Sequence, residues 1–123
     1  MKPVFIGCGT ALVTPFKKDG KIDLECFIKL IELQIESGTD AIIVCGTTGE
    51  GSTLTVDEKL LLFDAAVKTA DKRVPIIAGT GSNSTSFALN LAKEAEKCEI
   101  DAHLIVTPYY NKCSQTGIVE HYF

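Results

Sequence analysis

The sequence predicts an α/β fold in which parallel strands alternate with helices. Short apolar runs begin near residues 41, 75 and 103, a repeat of roughly thirty residues that suits strands joined by helical crossovers. Between these runs, apolar residues recur every three or four positions, as on one face of a helix. Polar and glycine-rich clusters follow the runs directly. Periodicity alone leaves open whether the sheet is doubly wound or part of a barrel.

Composition limits the classes of function. The chain has 123 residues, of which 46% are hydrophobic and 23% charged, and this suits one folded domain. The net charge is −4, and the basic residues are scattered, so we expect no nucleic-acid partner and no anionic membrane surface. The first residues lack an apolar stretch of signal-peptide length, and no membrane-spanning run follows. We therefore expect a cytoplasmic protein.

The five cysteines and two histidines show no spacing typical of a metal site, a disulfide framework or a Cys–His catalytic pair. We expect reduced thiols and no metal. Cys26 and Cys45 lie within apolar patterns, which predicts that both are small core residues.

The first strand is predicted over residues 9–16, stopped by Pro15 because proline cannot continue the hydrogen-bond ladder. A helix should begin after Asp23, a good N-cap, and end before Gly38, which accepts a left-handed backbone. The second strand covers residues 41–45, an apolar run. The apolar face of the first helix consists of Leu24, Phe27, Ile28, Ile31 and Ile35.

The second helix is predicted over residues 56–69, because Thr55 and Glu58 have the spacing of a capping box. The third strand covers residues 74–78. The second helix should bury a wide apolar stripe, because its apolar residues are numerous: Leu60, Leu61, Leu62, Phe63, Ala65 and Val67.

Asn83 or Ser84 should cap the third helix. The fourth strand is predicted over residues 104–106, and residues 117–123 should open a fourth helix. The apolar side of the third helix consists of Phe87, Ala88, Leu91, Ala92 and Ala95. Because every strand is apolar along most of its length, we expect both faces of the sheet to be covered.

Four polar clusters follow the four predicted strands, at residues 14–15, 46–50, 79–83 and 107–111. The carboxyl ends of parallel strands lie at one edge of a sheet, which is where α/β proteins bind ligands. Four clusters at this edge predict a site there. Gly79 and Gly81 lack the third glycine of a dinucleotide-binding motif and follow the third strand instead of the first.

Three segments together resemble the dihydrodipicolinate synthase family. They are residues 46–50, Gly-Thr-Thr-Gly-Glu, with Thr53-Leu54 after them; residues 78–83, Ala-Gly-Thr-Gly-Ser-Asn; and residues 106–112, Val-Thr-Pro-Tyr-Tyr-Asn-Lys, followed by Gln115 and Gly117. The likeness runs along essentially the whole chain, starting at residues 9–16. The paired threonines and paired tyrosines fit this family better than its relatives, N-acetylneuraminate lyase and the sugar-acid aldolases.

The resemblance implies a lyase with a (β/α)8 TIM barrel fold. Such an enzyme condenses pyruvate, held as a Schiff base on a lysine, with aspartate semialdehyde in lysine and diaminopimelate biosynthesis, and needs no cofactor. Residues 1–123 would form the N-terminal half, four βα units with the fourth helix only begun. The family resemblance also implies a homo-oligomer.

Residue roles follow from the same resemblance. Thr48 would hold the pyruvate carboxylate, and Thr47 and Tyr110 would relay protons as catalytic residues, with Tyr110 entering the site of a neighbouring subunit. A chain of hydroxyls suits a relay because each group both donates and accepts. Tyr109, Asn83 and Ser52 would lie at the dimer contact and at a possible effector site.

Some of the family's catalytic groups would lie beyond these residues. Its Schiff-base lysine is on the sixth strand, and a third relay tyrosine and a substrate-binding arginine follow the fifth. Every lysine here is predicted in a loop, turn or helix, and none should point from a strand into a pocket; Lys112, nearest the site, should be exposed. We therefore expect no activity from these residues alone. The alternatives are a non-catalytic complementing fragment and a small anion-binding module that uses Thr47, Thr48 and residues 79–83.

Several residues depart from the family pattern. Glu99 stands where a glycine commonly ends the third helix, so a left-handed residue there would be strained. Cys113 replaces a frequent proline and should loosen its loop. Val56 and Phe87 replace polar residues of the lysine effector site, which predicts weak or absent inhibition by lysine.

A half-barrel would leave the first and fourth strands without partners at their outer edges and the lumen face of the sheet open. Such a chain should associate with a second copy or aggregate.

Overall fold

Four strands alternate with four helices in the computed structural model, which describes residues 2–123. All strand pairs are parallel, and the strand order in the sheet is the order in the sequence. A doubly wound sheet reverses its strand order at a switch point, whereas a barrel adds each strand beside the one before it. The predicted fold class, parallel βα repeats of the barrel type, is therefore confirmed. The elements are β1 (Gly9–Ala11), α1 (Leu24–Glu36), β2 (Ala41–Val44), α2 (Val56–Ala70), β3 (Ile76–Gly79), α3 (Thr85–Glu96), β4 (Ala102–Leu104) and α4 (Gln115–Tyr122).

Helix α1 begins and ends at the residues that its sequence predicts. The Cys26 amide donates to the Asp23 carboxylate over 3.0 Å, so Asp23 is the N-cap. At the other end Ser37 is the C-cap, and Gly38 follows with a φ of +85°. Glycine adopts this left-handed geometry without the steric cost that a β-carbon imposes.

Helix α2 starts with a complete capping box. The Glu58 amide donates to the Thr55 hydroxyl, and the Thr55 amide donates back to the Glu58 carboxylate over 2.8 Å. These contacts hold the pKa of Glu58 below its usual value, first through the Thr55 backbone and then through its side chain. Because the cap is tied on both sides, the start of α2 is fixed relative to the loop before it.

The core lies between the sheet and the helices. Helix α2 packs against α1, α3, β2 and β3. Leu62 and Phe63 of α2 are fully buried, but Leu61 is 45% exposed, so the predicted stripe was too wide. Each buried Leu or Phe side chain contributes about 1.5–3 kcal/mol through the hydrophobic effect. The largest fully buried apolar side chains are Phe27, Phe63, Ile31, Ile42, Leu62, Ile76, Leu91 and Val44.

Helix α3 is capped by Ser84, one of the two residues predicted for this role, whose hydroxyl accepts from the Phe87 amide. Leu91 and Ala95 are buried as expected, whereas Phe87 is 40% exposed. Helix α4 begins two residues earlier than predicted, because the Ser114 hydroxyl accepts from the Gly117 amide over 3.1 Å and caps it.

The predicted strand bounds differ from the observed ones at all four strands, at β2 only by one residue, since it ends at Val44. Strand β1 ends at Ala11 instead of residue 16, because only Leu12 adds one further bond to β2, from its amide to the Ile43 carbonyl. Strand β3 starts at Ile76, whose amide donates to the Asp101 carboxylate over 2.8 Å. Strand β4 lies two residues earlier than predicted, since the Thr80 and Gly81 amides both donate to the Leu104 carbonyl and end the ladder there.

The expectation that both faces of the sheet are covered was also wrong. Only β3 is buried along its whole length. β1 and β4 are partly exposed edge strands, as expected for the open edges of a half-barrel. Large apolar side chains at or after these edges, Val13, Leu104 and Val106, are 41–49% exposed. The sheet is therefore packed by helices on one side and open on the other.

None of the helices within residues 2–123 has both the length and the apolar composition that crossing a bilayer requires.

Candidate active site

The loop after β2 carries the two threonines of the predicted site. It winds through tight turns: the Glu50 amide donates to the Thr47 carbonyl, and the Gly51 amide donates to the Gly46 carbonyl, both over 3.1 Å. A buried contact fixes the loop to the end of the first strand, where the Thr14 hydroxyl donates to the Gly49 carbonyl over 2.7 Å. Two of the four predicted polar clusters are thus joined directly.

Close backbone approach explains two of the glycines at this edge. A β-carbon on either Gly51 or Gly79 would overlap the Cys45 carbonyl. Gly51 approaches this carbonyl from the loop after β2, and Gly79 approaches it from the end of β3. Cys45 itself has a φ of +56°, so the chain turns sharply where β2 ends. Small residues are therefore required here for the loops to pack around the end of β2.

The other two clusters are also joined. The Asn111 side-chain amide donates to the Asn83 carbonyl over 3.0 Å, linking the loop after β4 to the loop after β3. The carboxyl ends of all four strands therefore lie at one edge, as the sequence predicted.

A cavity of about 420 Å³ opens at this edge. This volume is within the range of small-ligand sites, roughly 300–1,000 Å³. Polar and charged side chains in its wall are Thr47, Ser52, Lys59, Ser82 and Tyr109, and Phe87, Leu54, Leu104 and Val106 supply apolar surface.

The six residues predicted for the site occupy different places around this cavity. Thr47, Ser52 and Tyr109 line it. Thr48 is exposed in the same loop but is not in the cavity wall. Asn83 is also not part of the wall and is bonded to Asn111. Tyr110 is 94% exposed and has a φ of +70°, a strained backbone for a bulky residue.

The threonine hydroxyls are free to bind a ligand. Among residues 2–123, the side chains of Thr47 and Thr48 make no hydrogen bond to the protein, in contrast to Thr53, which donates to the Glu50 carbonyl over 2.9 Å. Each free hydroxyl offers one donor and two acceptor positions.

Lys59 is a feature of the cavity that the sequence analysis missed. It lies in α2, is only 5% exposed and lines the cavity, so a lysine reaches the pocket from a helix, whereas the expectation concerned lysines on strands. Burial lowers the pKa of Lys59, an effect that the Cys45 thiol opposes. Helical spacing shows only that Lys59 shares a face of α2 with buried residues, and not that a cavity lies beside it. The buried residues on this face are Lys59, Leu62, Phe63, Ala66 and Ala70.

Of the two cysteines predicted to lie in the core, Cys45 is buried there. It is buried, and burial raises the pKa of its thiol to about 12, against a smaller opposing effect of Lys59. A thiol that stays protonated is a poor nucleophile. Cys26 is only partly buried, whereas a core residue was predicted at this position.

Lys112 lies on an exposed loop, as predicted. Within residues 2–123, no group of three His, Cys, Asp or Glu side chains is arranged to hold a metal ion.

Comparison with known proteins identifies close similarity along the chain. Residues 4–123 match the model of the dihydrodipicolinate synthetase family. The chain is 52% identical over 119 residues to the 4-hydroxy-tetrahydrodipicolinate synthase of Lachnoclostridium phytofermentans and 55% identical to that of Thermodesulfovibrio yellowstonii. These alignments cover 97% of this chain and 40% of each relative. The chain therefore spans about two fifths of the length of these curated relatives.

Solved structures agree with this similarity. The dihydrodipicolinate synthase of Thermotoga maritima superposes with a TM-score of 0.94 at 47% identity, covering 98% of this chain and 40% of that one. A second such enzyme, from Cyanidioschyzon merolae and solved with lysine bound, also gives a TM-score of 0.94, at 45% identity, over 98% of this chain and 41% of that one.

Proposed function

Because this chain belongs to the dihydrodipicolinate synthetase family, a family of lyases, we propose that it contributes to the condensation of pyruvate with aspartate semialdehyde. The reaction would serve lysine and diaminopimelate biosynthesis in the cytoplasm. Residues 1–123 would be one unit, the first four βα repeats of the barrel, and the Schiff-base lysine would lie outside them. One observation carries the proposal: the loop of Thr47 and Thr48 is anchored at the end of β2 beside an open cavity, with both hydroxyls free.

The proposed chemistry uses hydroxyl groups instead of buried charges. Thr48 would bind the pyruvate carboxylate, since a hydroxyl that donates to a charged acceptor forms a short and strong hydrogen bond. Thr47 would pass protons to and from the substrate, and its place in the cavity wall supports this role. The loop needs no rearrangement for either task, because its turns are already closed by backbone hydrogen bonds.

Tyr110 would complete the relay in the site of a neighbouring subunit. Its side chain is almost fully exposed, its backbone is strained, and it is not part of the cavity wall of its own chain. Strained residues persist where function requires them. The exposed Tyr110 therefore supports a homo-oligomer in which this loop reaches another copy.

Ser52, Asn83 and Tyr109 would form a dimer contact and an effector site. The structure from Cyanidioschyzon merolae holds lysine. In this chain the apolar Phe87 lies in the cavity wall with the positively charged Lys59, and the apolar Val56 packs against the core. We propose that lysine inhibits this protein weakly or not at all.

Replacing Thr47 by valine tests the proposed function, in the protein of the full length that its gene encodes. Valine keeps the shape of threonine and removes the hydroxyl, so kcat should fall by about 10²–10³, as expected for loss of a proton-transfer group. Thr48→Ala should instead raise KM for pyruvate about tenfold through loss of a hydrogen bond to a carboxylate. Steady-state assays of pyruvate consumption in the presence of aspartate semialdehyde measure both parameters.

Thr53→Val is the matched control, since its hydroxyl lies in the same loop but bonds to the Glu50 carbonyl. It should change kcat less than threefold. Equal losses of kcat in Thr47→Val and Thr53→Val would mean that the loop needs its hydroxyls only to fold, and would contradict the assigned roles.

A further inference from the structure

The Thr14 hydroxyl holds the loop after β2 through a single buried hydrogen bond. It donates to the Gly49 carbonyl over 2.7 Å, and Thr14 is only 5% exposed. Among residues 2–123, no other group donates to this carbonyl. A buried carbonyl that loses its only partner is left with the cost of its desolvation. The position of Gly49 therefore depends on one side chain from the segment that follows β1.

Gly49 is packed too closely for any side chain. A β-carbon at this buried position would lie 2.8 Å from the Leu12 carbonyl oxygen, and 3.3 Å from both the Cys45 amide nitrogen and the Thr14 hydroxyl oxygen. The first distance is shorter than van der Waals contact permits, so the loop is seated directly on the backbone beyond β1. The Thr14 hydrogen bond and this close contact act at the same residue of the loop.

Thr14 is itself held in place on both sides. Before it, the Leu12 amide donates to the Ile43 carbonyl over 2.9 Å, and after it, the Asp23 amide donates to the Pro15 carbonyl over 2.8 Å. Asp23 is also the N-cap of α1, so the segment is tied to β2 and to α1. Thr14 cannot follow a displaced loop without breaking one of these bonds, and it is therefore a fixed point for the loop.

The two residues before Gly49 are Thr48 and Thr47, the proposed carboxylate clamp and proton relay. Their side chains make no hydrogen bond within residues 2–123, so the backbone of the loop places them. A displacement of about 1 Å in a positioned group can lower a reaction rate about a hundredfold. A contact that fixes Gly49 therefore controls the geometry of both hydroxyls.

We propose that Thr14 is a positioning residue for the condensation. Its hydroxyl holds the Gly49 carbonyl and thereby sets the places of Thr47 and Thr48, while Thr14 itself does not take part in proton transfer. The inference rests on the proposed function, and it adds a residue of the first strand segment to the roles proposed there.

Thr14→Val tests this role in the protein of the full length that its gene encodes. Valine keeps the shape of threonine and removes the hydroxyl, so kcat should fall about a hundredfold through displacement of the relay. Thr14→Ser keeps the hydroxyl and loses only the methyl group, and its kcat should stay within threefold of that of the parent. Rescue by serine separates the hydrogen bond from the packing of the side chain.

Thr10→Val is the matched control at the other end of the same strands. The Thr10 hydroxyl lies 2.9 Å from the Thr39 hydroxyl, in the segment before β2 begins, so its loss removes a link between the same two elements without touching the loop. Thr10→Val should leave kcat within threefold of that of the parent. An equal loss of kcat in Thr10→Val and Thr14→Val would show a general effect on folding and overturn the proposal.

Gly49→Ala disturbs the same contact from the side of the loop. Gly49 does not have a left-handed φ, so alanine suits its backbone, but the added β-carbon collides with the Leu12 carbonyl and must lift the loop. This variant should lose kcat as Thr14→Val does, and it serves as the test if Thr14→Val does not fold. Unchanged kcat in whichever of the two variants folds would overturn the proposal.

Hydrogen–deuterium exchange provides a readout that does not depend on the reaction. The Glu50 and Gly51 amides close the turns of the loop, and their exchange should be about tenfold faster or more in Thr14→Val, with no change in Thr14→Ser or Thr10→Val. Unchanged exchange in Thr14→Val would contradict the assigned role. A protein without condensation activity whose loop still exchanges faster in Thr14→Val would refute the proposed function and leave Thr14 as the residue that fixes the loop.

Discussion

At the scale of single residues, burial decides what the polar side chains of the cavity can do. Cys45 and Lys59 are neighbours in the wall, and desolvation acts on them in opposite directions: it raises the pKa of the thiol and lowers the pKa of the amine. Both effects favour the neutral form of each group. Thr47, an exposed residue of the same wall, and Thr48, exposed outside the wall, keep hydroxyls that are free to exchange protons and bind carboxylates.

The lowered pKa of Lys59 predicts a pH-dependent stability. Because the folded state holds this proton less tightly than the unfolded state does, stability rises with pH between the folded pKa and the unfolded value near 10.5. In low salt, Lys59→Met should therefore be more stable than the parent at pH 7, and this advantage should shrink by pH 10. Urea unfolding at the two pH values measures the difference in unfolding free energy.

Ionisation of Cys45 in the unfolded state affects the parent and the variant alike, so it cancels in this difference. Lys93→Met should show no pH-dependent advantage, since Lys93 is exposed. A less stable Lys59→Met at pH 7 would indicate that the ammonium is paired in solution.

At the scale of elements, helix starts follow the local sequence closely. Asp23, Thr55 and Ser84 each accept from a backbone amide three residues later, as their spacing predicts. Two helix ends depart from ideal chemistry, and one of them is Asp71, the left-handed C-cap of α2 with a φ of +46°. Glu99, at the turn after α3, has a φ of +60°, which a side chain disfavours.

Glu99→Gly should stabilise the protein by about 1 kcal/mol, because glycine removes the steric cost of the left-handed backbone. Lys93→Gly is the opposite case, an exposed helix interior with negative φ, and should destabilise by about 1 kcal/mol. Chemical denaturation of both variants measures the two changes. A loss of stability in Glu99→Gly would show that the Glu99 side chain makes a contact worth more than the strain.

At the scale of the whole molecule, the sheet presents two unpaired edges and one uncovered face. β1 and β4 are the outer strands, and apolar side chains near them are exposed: Val13, Leu104, Ile105 and Val106. Unpaired strands with apolar side chains invite pairing with another chain.

A polypeptide of these 123 residues, expressed by itself, should associate at micromolar concentration, as a dimer that pairs its open edges or as larger aggregates. Sedimentation velocity measures the species present. Val13→Lys combined with Val106→Lys places charges at the exposed face and should shift the distribution toward monomer. A stable monomer of the unmodified chain would contradict the expected association.

Features that depend on contacts between near neighbours are predicted correctly from the sequence. Features that depend on pairing or burial against remote residues are not. Caps such as Thr55 and Glu58 are a few residues apart, so their contacts can be recognised from spacing alone. Strand β4 was misplaced because its apolar run, residues 104–106, continues past the last backbone partner, the Leu104 carbonyl. Pairing partners are remote in sequence, and apolar composition does not reveal where pairing ends.

The sequence by itself determined the βα order, the helix caps and the loop that carries Thr47 and Thr48. These depend on periodicity and on contacts between near neighbours. Only the tertiary structure decided that Lys59 is buried in a cavity wall, that Tyr110 is exposed and that one face of the sheet is open. Burial is a property of which elements cover one another, and the energetic consequences of a buried charge or an exposed aromatic ring arise only once the chain has packed.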